Sequence, residues 1–300
     1  MAEFFQHVID GISVGAIYAL IALGYTMVYG VLKLINFAHG DVFMVGAMMG
    51  WYMSARWTGE ARDPNIAGAL LVTLFSMLVC GALGFVIERI AYRPIRAAPR
   101  LNSLITAIGV SFFLEYGGQY AFGPNPRVFS VLPRHPPVHL GPVSLGYVDI
   151  VTVIVSVALM IGLQRIVFHT RMGTAMRAVS YNSTVAALMG VNTDKVISFT
   201  FILGSVLAAV AGVLYASKYP SVQPLMGLMP GLKAFVAAVL GGIGNVPGAM
   251  LGGLVLGLAE QIVSGYLSSS WRDAVAFGIL ILVLLLRPTG LLGRGEAEKV

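Results

Sequence analysis

Asn36, His39 and Asp41 fall within one six-residue stretch of "KLINFAHGDVFMVGAMMG", residues 33–50, among Ile35, Phe37, Val42, Phe43 and Met44. An amide, an imidazole and a carboxylate can bind a ligand, relay a proton or cap a helix. At membrane depth such groups cost about 2.5–3.5 kcal/mol each at a helix centre, so they are paired or line a cavity. Two readings follow from the spacing. If the stretch lies at a membrane surface, Asn36 or Asp41 caps the helix that follows. If it dips inward, Gly40 breaks the helix, and Asn36, Phe37, His39 and Asp41 line a permeation path. Broken helices serve transporters in this way, their half-helix ends facing substrate charges.

"GGIGNVPG", residues 241–248, offers a second break, with Gly241, Gly242, Gly244 and Asn245 before Pro247. Breaks at matched places in two halves of a chain point to a transport site. An ordinary tight turn with Pro247 in the first helical turn is the plainer reading. Glu115, Lys233 and Glu260 are further charges inside apolar stretches. Lys233 and Glu260 can pair across segments, and snorkelling to the interface is the alternative for each.

Other chemistries lack their residues. There is no G-x-x-x-x-G-K-[ST] phosphate loop and no H-E-x-x-H. His135 and His139 in "HPPVH" are separated by two prolines, which prevent a helix from aligning the imidazoles. Cys80 is the single cysteine, so no internal disulfide and no cysteine-based metal site is possible. No catalytic set and no metal site is expected.

The elements that must position these groups are membrane spans. The chain is 57% hydrophobic and 11% charged over 300 residues, against about 25% charged in soluble domains. Backbone amides in hydrocarbon must be satisfied internally, which makes each span a helix. Apolar runs predict spans near 8–32, 37–57, 66–90, 101–122, 147–168, 195–217, 246–267 and 273–288. Region 224–243, with Pro224, Pro230 and Lys233, predicts a broken crossing or a re-entrant pair. The class is therefore all-α: one polytopic domain over 1–300 with about eight or nine membrane helices. Glycines four apart (Gly244, Gly248 and Gly252; Gly253 and Gly257) predict close helix packing.

The net charge of +6 is spread over short loops between spans, which argues for a topology signal and against nucleic-acid binding. Arg89, Arg93, Arg96 and Arg100 in one loop, Arg165 to Lys195 in another, and Arg287, Arg294 and Lys299 in the tail are expected on the cytoplasmic side. The charge-balanced loop with Arg56, Glu60, Arg62 and Asp63 and the proline-rich segment 123–146 are expected outside. The N-terminus then lies outside and the C-terminus inside. The absence of Lys or Arg before Lys33 argues against a cleaved signal peptide.

Segment 170–195 is too polar to cross. Its spacing puts Met172, Met176, Val179 and Ser183 on one stripe between Gly173 and Gly190. This is either a surface helix pair offered to a partner or an amphipathic helix on lipid headgroups.

Arg171, Gly173, Met176, Arg177, Ala178, Asn182, Ala186 and Gly190 resemble the coupling loop of ABC importer permeases. "LIALGYTMVYGVLKLINFAHGDVFM" (20–44), "IERIAYRPIR" (87–96), "KAFVAAVLGGIGNVPGAMLGGLVLGLAE" (233–260) and "ILILVLLLRPTGLLGR" (279–294) are similar, in order, to the H-type subunit of the branched-chain amino acid permease family. The outer loop 123–146 carries no family signature. The resemblance implies an ATP-driven importer in a bacterial inner membrane. Its partners would be an M-type sister permease, two ATP-binding cassette subunits and a periplasmic amino-acid-binding protein. ATP and Mg would sit on the ATPase chains, with no cofactor and no enzymatic role here. It also implies that 170–195 is the ATPase coupling segment. Within the class, a permease for urea or short amides looks similar across "NFAHG"; a stand-alone channel is the alternative from another class. A branched-chain zwitterion calls for smooth apolar walls and few strong polar contacts, with selectivity residing mainly in the binding protein.

Overall fold

The computed structural model describes residues 2–57, 65–96, 98–129, 131–133, 135–141 and 143–293. Glu60, Arg62, Asp63, Arg294 and Lys299, used above to orient the loops, lie outside these. Eleven α-helices carry the described chain: α1 (Ala2–Leu32), α2 (His39–Trp57), α3 (Ile66–Val86), α4 (Arg100–Phe122), α5 (Tyr147–His169), α6 (Arg171–Tyr181), α7 (Ser183–Leu188), α8 (Thr193–Lys218), α9 (Leu228–Gly241), α10 (Val246–Tyr266) and α11 (Arg272–Leu286). The chain is an all-α polytopic membrane protein. Six of its helical stretches, built on α1, α3, α5, α8, α10 and α11, are long and apolar enough to cross a bilayer. α2 and α4 fall short on composition, because they carry the acidic and polar groups that make the site.

α1 is the central post. From Val14 to Val28 it is buried on every face, its apolar circumference covered by neighbouring helices rather than lipid. α10 runs antiparallel along it, with Gly253 and Gly257 set against Ala19 and Gly15 so that backbones touch. Gly248 and Gly252 face the other way, onto Gly241 and Ala237 of α9. The two glycine rows of α10 thus pack two different helices, which lets three axes run side by side. α8 packs on α1, α2 and α3 through small residues such as Ala208, Ala209 and Gly212.

α3 ends irregularly. Residues Ile87–Tyr92 form a π-helical turn and Arg93–Ile95 a 3₁₀ turn. Pro94 explains the second, since it has no N–H to continue the ladder. The π turn carries Glu88 inward, where it is fully buried and bonded to Arg96 and to Ser198 (2.6 Å). Arg93 and Arg96 both reach Asp194 at the start of α8 (2.5 and 2.6 Å).

Segment 123–146 is less irregular than its prolines predict. It holds a short antiparallel hairpin of two strands, β1 (Val138–Leu140) and β2 (Val143–Leu145), turning at Gly141 with φ 63°. Gln6 of α1 ties it down through Ser144.

Region 224–243 crosses as a broken element. Lys218, at the end of α8, bonds Asp149 in the first turn of α5 and Ser13 of α1. Gly242, at the end of α9, packs on Thr289 and Gly293 beyond α11. Between these two ends of the bundle the chain has only α9, 14 residues or about 21 Å. Residues 219–227 supply the rest without regular helix. Bare backbone at this depth is tolerated only inside protein, and here Val222 is buried and bridged to Arg127 by two backbone bonds.

Candidate functional site

α1 stops at Lys33, which adopts a left-handed φ of 57°. The next five residues turn back into the bundle, and α2 starts at His39. The depth of that start follows from its neighbours. The Asp41 carboxylate accepts a hydrogen bond from Ser111. Ser111 lies 11 residues from either end of α4, so about 16 Å of helix stands on each side. The imidazole of His39 rests against Gly24 of α1 and Gly204 in the middle of α8. The "NFAHGD" stretch therefore leads from the end of α1 to a point about halfway along α4 and α8, and Gly40 lies within the first turn of α2 rather than breaking a helix.

The second irregular segment meets it there. A Cβ on Gly40 would lie 2.8 Å from the Gly227 carbonyl oxygen and 3.0 Å from Gly231 Cα; one on Gly227 would lie 2.3 Å from the Gly40 oxygen. The starts of α2 and α9 are thus in backbone contact, and only glycine fits at the crossing. Beside this contact opens a groove of about 170 Å³. Tyr25, Phe37, Ile108, Phe112, Leu228 and Leu232 give it apolar walls. Its polar part is Asp41, Ser111 and Glu115. Ser111 and Glu115 stand one turn apart on the same face of α4. Glu115 is 5% exposed and its Oε1 has no hydrogen-bond partner.

The residues singled out in sequence divide sharply. Phe37, Gly40 and Asp41 line the groove. Asn36 does not: its side-chain oxygen accepts from the Tyr92 hydroxyl (2.9 Å), which anchors residues 33–38 to the π turn of α3, while its main-chain carbonyl accepts from the His39 N–H at the start of α2 (3.1 Å). His39 is also turned away, edge-on to Tyr25 with ring centroids 4.8 Å apart. Gly241, Gly242, Gly244 and Asn245 are not brought to Asp41, which corrects the pairing of "NFAHGD" with "GGIGNVPG". They form the turn between α9 and α10 at the far end of the bundle, where Gly244 faces Gly30. Asn245 accepts from the Gly248 N–H (3.1 Å) as a helix cap and donates to the Leu292 carbonyl (2.6 Å). The true counterpart of Gly40 is Gly227–Gly231, inside the region read only as broken. Glu115 and Ser111 went unremarked as a pair, although their spacing of four within "ITAIGVSFFLEY" was the available signal.

Lys233 and Glu260 do pair. The Lys233 ammonium lies 2.7 Å from Asp273 and 3.1 Å from Glu260 Oε1, the latter a charge contact without hydrogen-bond alignment. Glu260 Oε2 accepts from the Tyr18 hydroxyl (3.0 Å). These bonds join α9, α10, α11 and α1 around one buried cation.

Segment 170–195 folds as two helices. Thr170 caps α6, accepting from the Gly173 N–H (3.0 Å). Asn182 ends α6 and caps α7, accepting from the Val185 N–H (3.0 Å). Gly190 leaves α7 with a left-handed φ of 85°. Gly173, Met176 and Val179 are buried against the protein's own spans, and Ala186 is likewise buried; of the predicted stripe, Met172 is half-buried and Ser183 exposed. Ala178 is half-buried and Arg171 exposed. Arg177, one of the residues that resemble the coupling loop, makes its contacts within its own chain. It donates to the Val167 carbonyl at the end of α5 and stacks over Phe168 at 5.6 Å. Among the exposed residues, beside polar Thr174, Ser183 and Thr184, the most exposed of the large apolar ones are Tyr181 (90%), Leu188 (82%) and Met189 (80%).

Two broken segments that meet at mid-depth beside a partly apolar groove define a transport protein of the membrane. The sequence comparisons name the kind. The family described as the permease component of the branched-chain amino acid transport system matches residues 7–284, and this chain belongs to it. It is 43% identical to the high-affinity branched-chain amino acid transport system permease protein LivH of Escherichia coli K12, covering 99% of this chain and 98% of the relative. It is 42% identical to the corresponding protein BraD of Pseudomonas aeruginosa, with the same coverage. A probable LivH of Methanocaldococcus jannaschii is 28% identical over 91% of this chain and 88% of its own length. The chain is thus a permease component of a branched-chain amino acid ABC transporter, and a multi-pass inner-membrane protein.

Proposed function

We propose that this permease forms half of the translocation pathway of an ATP-driven importer for leucine, isoleucine and valine. An M-type sister permease supplies the other half, two ATP-binding cassette subunits dock beneath, and a periplasmic binding protein delivers the substrate. The observation that carries this reading is near-full-length likeness to permeases named for branched-chain amino acid transport. ATP and Mg belong to the ATPase chains, since this sequence has no phosphate loop.

The path runs through the groove at Gly40, Asp41 and Gly231. Its open side is bounded by α4, where Ile105, Phe113 and Tyr116 are exposed at membrane depth, a face suited to the sister permease. The α6–α7 pair is the ATPase-docking element, presenting Tyr181, Leu188 and Met189 as apolar anchors to a groove on that subunit. Arg93, Arg96, Arg165, Arg171, Arg177 and Lys195 gather at the same end of the bundle, which the positive-inside bias assigns to the cytoplasm. The C-terminus then lies inside and the N-terminus outside.

The test is affinity purification of this chain in mild detergent, followed by reconstitution with the binding protein and ATP. ATPase chains should co-purify, and labelled leucine should enter the vesicles. Leucine uptake by the isolated chain without ATP would support a stand-alone facilitator and overturn the proposal.

A further inference from the structure

Asp41 and Glu115 pose an electrostatic problem. Both are almost wholly buried, at 2% and 5% exposure, in the middle of a membrane protein. They share one groove, and no Lys, Arg or His side chain lines it. Elsewhere in the chain buried acids have cations: Arg96 for Glu88, Lys233 for Glu260. Ser111 satisfies one oxygen of Asp41. Glu115 Oε1 is buried, borders the groove and has no partner. Two acids facing each other in low dielectric without a cation either hold a proton between them or are met by something positive, and a ligand ammonium satisfies both at once.

The rest of the groove describes what arrives. Its walls are apolar: Phe37, Ile108, Phe112 and Leu232. The starts of α2 and α9, at His39 and Leu228, also converge on it, and helix N-termini carry partial positive charge. A small molecule with one ammonium, one carboxylate and a branched apolar tail matches all three features. A divalent metal does not, for no group of three or more metal-type ligands exists among the described residues.

We propose that Asp41 and Glu115 form a transient docking site for the ammonium group of the translocated amino acid, halfway across the membrane. The inference rests on the import function proposed above and adds to it a recognition step within the permease. Selectivity then does not reside in the binding protein alone: a cargo without a positive charge leaves the two acids unmet. Urea and simple amides fail this test.

The experiment uses the assembled transporter without its binding protein, in lipid nanodiscs, and reads the melting temperature against added ligand. A ligand that binds the folded state raises it by mass action. The probes are leucine, 3-methylbutylamine (leucine without its carboxylate), 4-methylpentanoate (leucine without its ammonium) and sodium chloride at matched concentration. Leucine and the amine should stabilise the complex, and the acid and the salt should not. Glu115→Gln, which keeps the shape and removes the charge, should weaken amine binding about tenfold or more and lower leucine uptake in reconstituted vesicles. Ser111→Ala, which frees Asp41 to move, is the second variant should Glu115→Gln fail to accumulate, and should weaken the amine to a lesser degree. Equal stabilisation by the amine and the acid, or by sodium chloride, overturns the proposal. So does an undiminished amine effect in either variant. Wild-type vesicles that take up no leucine would overturn the import function instead, while the amine titration would still decide the site.

Discussion

Replacing Gly40 with alanine tests the meeting of the two broken segments. The added methyl carbon would lie 2.8 Å from the Gly227 carbonyl oxygen and 3.0 Å from Gly231 Cα. Both obstacles are backbone, on the irregular piece before α9 and on its first turn, so neither can swing aside as a side chain would. The Gly40 Cα would have to retreat by several tenths of an ångström, pulling Asp41 from Ser111. Overpacking of this kind destabilises by about 1–3 kcal/mol. Helix propensity acts the other way, since Ala favours a helix over Gly by about 0.5–1 kcal/mol. Gly278 measures that opposing effect, because a Cβ there meets nothing within 4 Å on the exposed side of α11. The assay is thermal unfolding of the purified complex in detergent, with leucine uptake measured in parallel. Gly278→Ala should melt at or slightly above the wild-type temperature with full uptake. Gly40→Ala should melt several degrees lower, by about 2–4 °C per kcal/mol for a chain of this size or larger, and should lose uptake. A Gly40→Ala protein that melts and transports like Gly278→Ala would refute the claim that α2 and α9 meet backbone to backbone.

Four further outcomes are expected. Lys233→Met should destabilise by about 3–5 kcal/mol, because Glu260 is left buried without its cation; adding Glu260→Leu should recover much of the loss, measured by the same melts. Tyr92→Phe removes only the hydroxyl that Asn36 accepts from, so complex recovery and ATP hydrolysis should persist while leucine uptake per ATP falls; unchanged uptake per ATP would make that bond ornamental. Truncation after Leu286 removes Leu291 and Leu292, whose N–H groups bond the carbonyls of Leu240 and Gly241, and should lower the yield of folded protein in size-exclusion profiles. In single-cysteine labelling of intact cells, with Cys80 buried and inert, Asn125→Cys should react with an impermeant maleimide and Thr184→Cys only after the membrane is opened.

The spans were readable because apolar runs of membrane length leave one structural option, and charge clusters mark where they end. The predicted 66–90, 147–168 and 246–267 each lie within a few residues of the helices found. Glycine spacing on α10 foretold close packing, though not that its two rows would serve different neighbours. The groove was harder. Phe37, Gly40 and Asp41 stood out by type and reached it; Asn36 and His39 stood out equally and were turned to other work by Tyr92 and Gly24. Polarity in a sequence marks a residue that needs a partner, and partners such as Tyr92 lie 56 positions away. "GGIGNVPG" looked like the matching break because Gly and Asn crowd there, yet those residues make a turn sealed by the tail. The real match, Gly227–Gly231, is quieter in sequence. Arg177 shows the same limit: its place in the coupling-loop resemblance gave no sign that it donates to the Val167 carbonyl at the end of α5.

The polar bonds between distant elements are not spread evenly; they hold the irregular pieces of backbone. Residues 33–38 are pinned by Tyr92 and Asn36. The π turn that presents Tyr92 is pinned by Arg93 and Arg96 to Asp194 and by Glu88 to Ser198. Residues 219–227 hang between the Lys218–Asp149 pair and the Arg127–Val222 bridge, and α9 is held by Lys233. Apolar contacts alone tolerate sliding, because one methyl group serves as well as another; a directed bond to a buried charge does not. The result is a physical path from the surface helices to the groove. α7 leads through Gly190 into α8, whose first turns hold Asp194 and Ser198 against the π turn; the π turn holds Asn36, and Asn36 lies four residues before Gly40. A push on α6–α7 that shifts the start of α8 must either break these bonds or carry the start of α2 with it. Since α2 and α9 touch at Gly40 and Gly231, any such movement changes the groove itself, at the one depth where the chain has set two carboxylates without a cation.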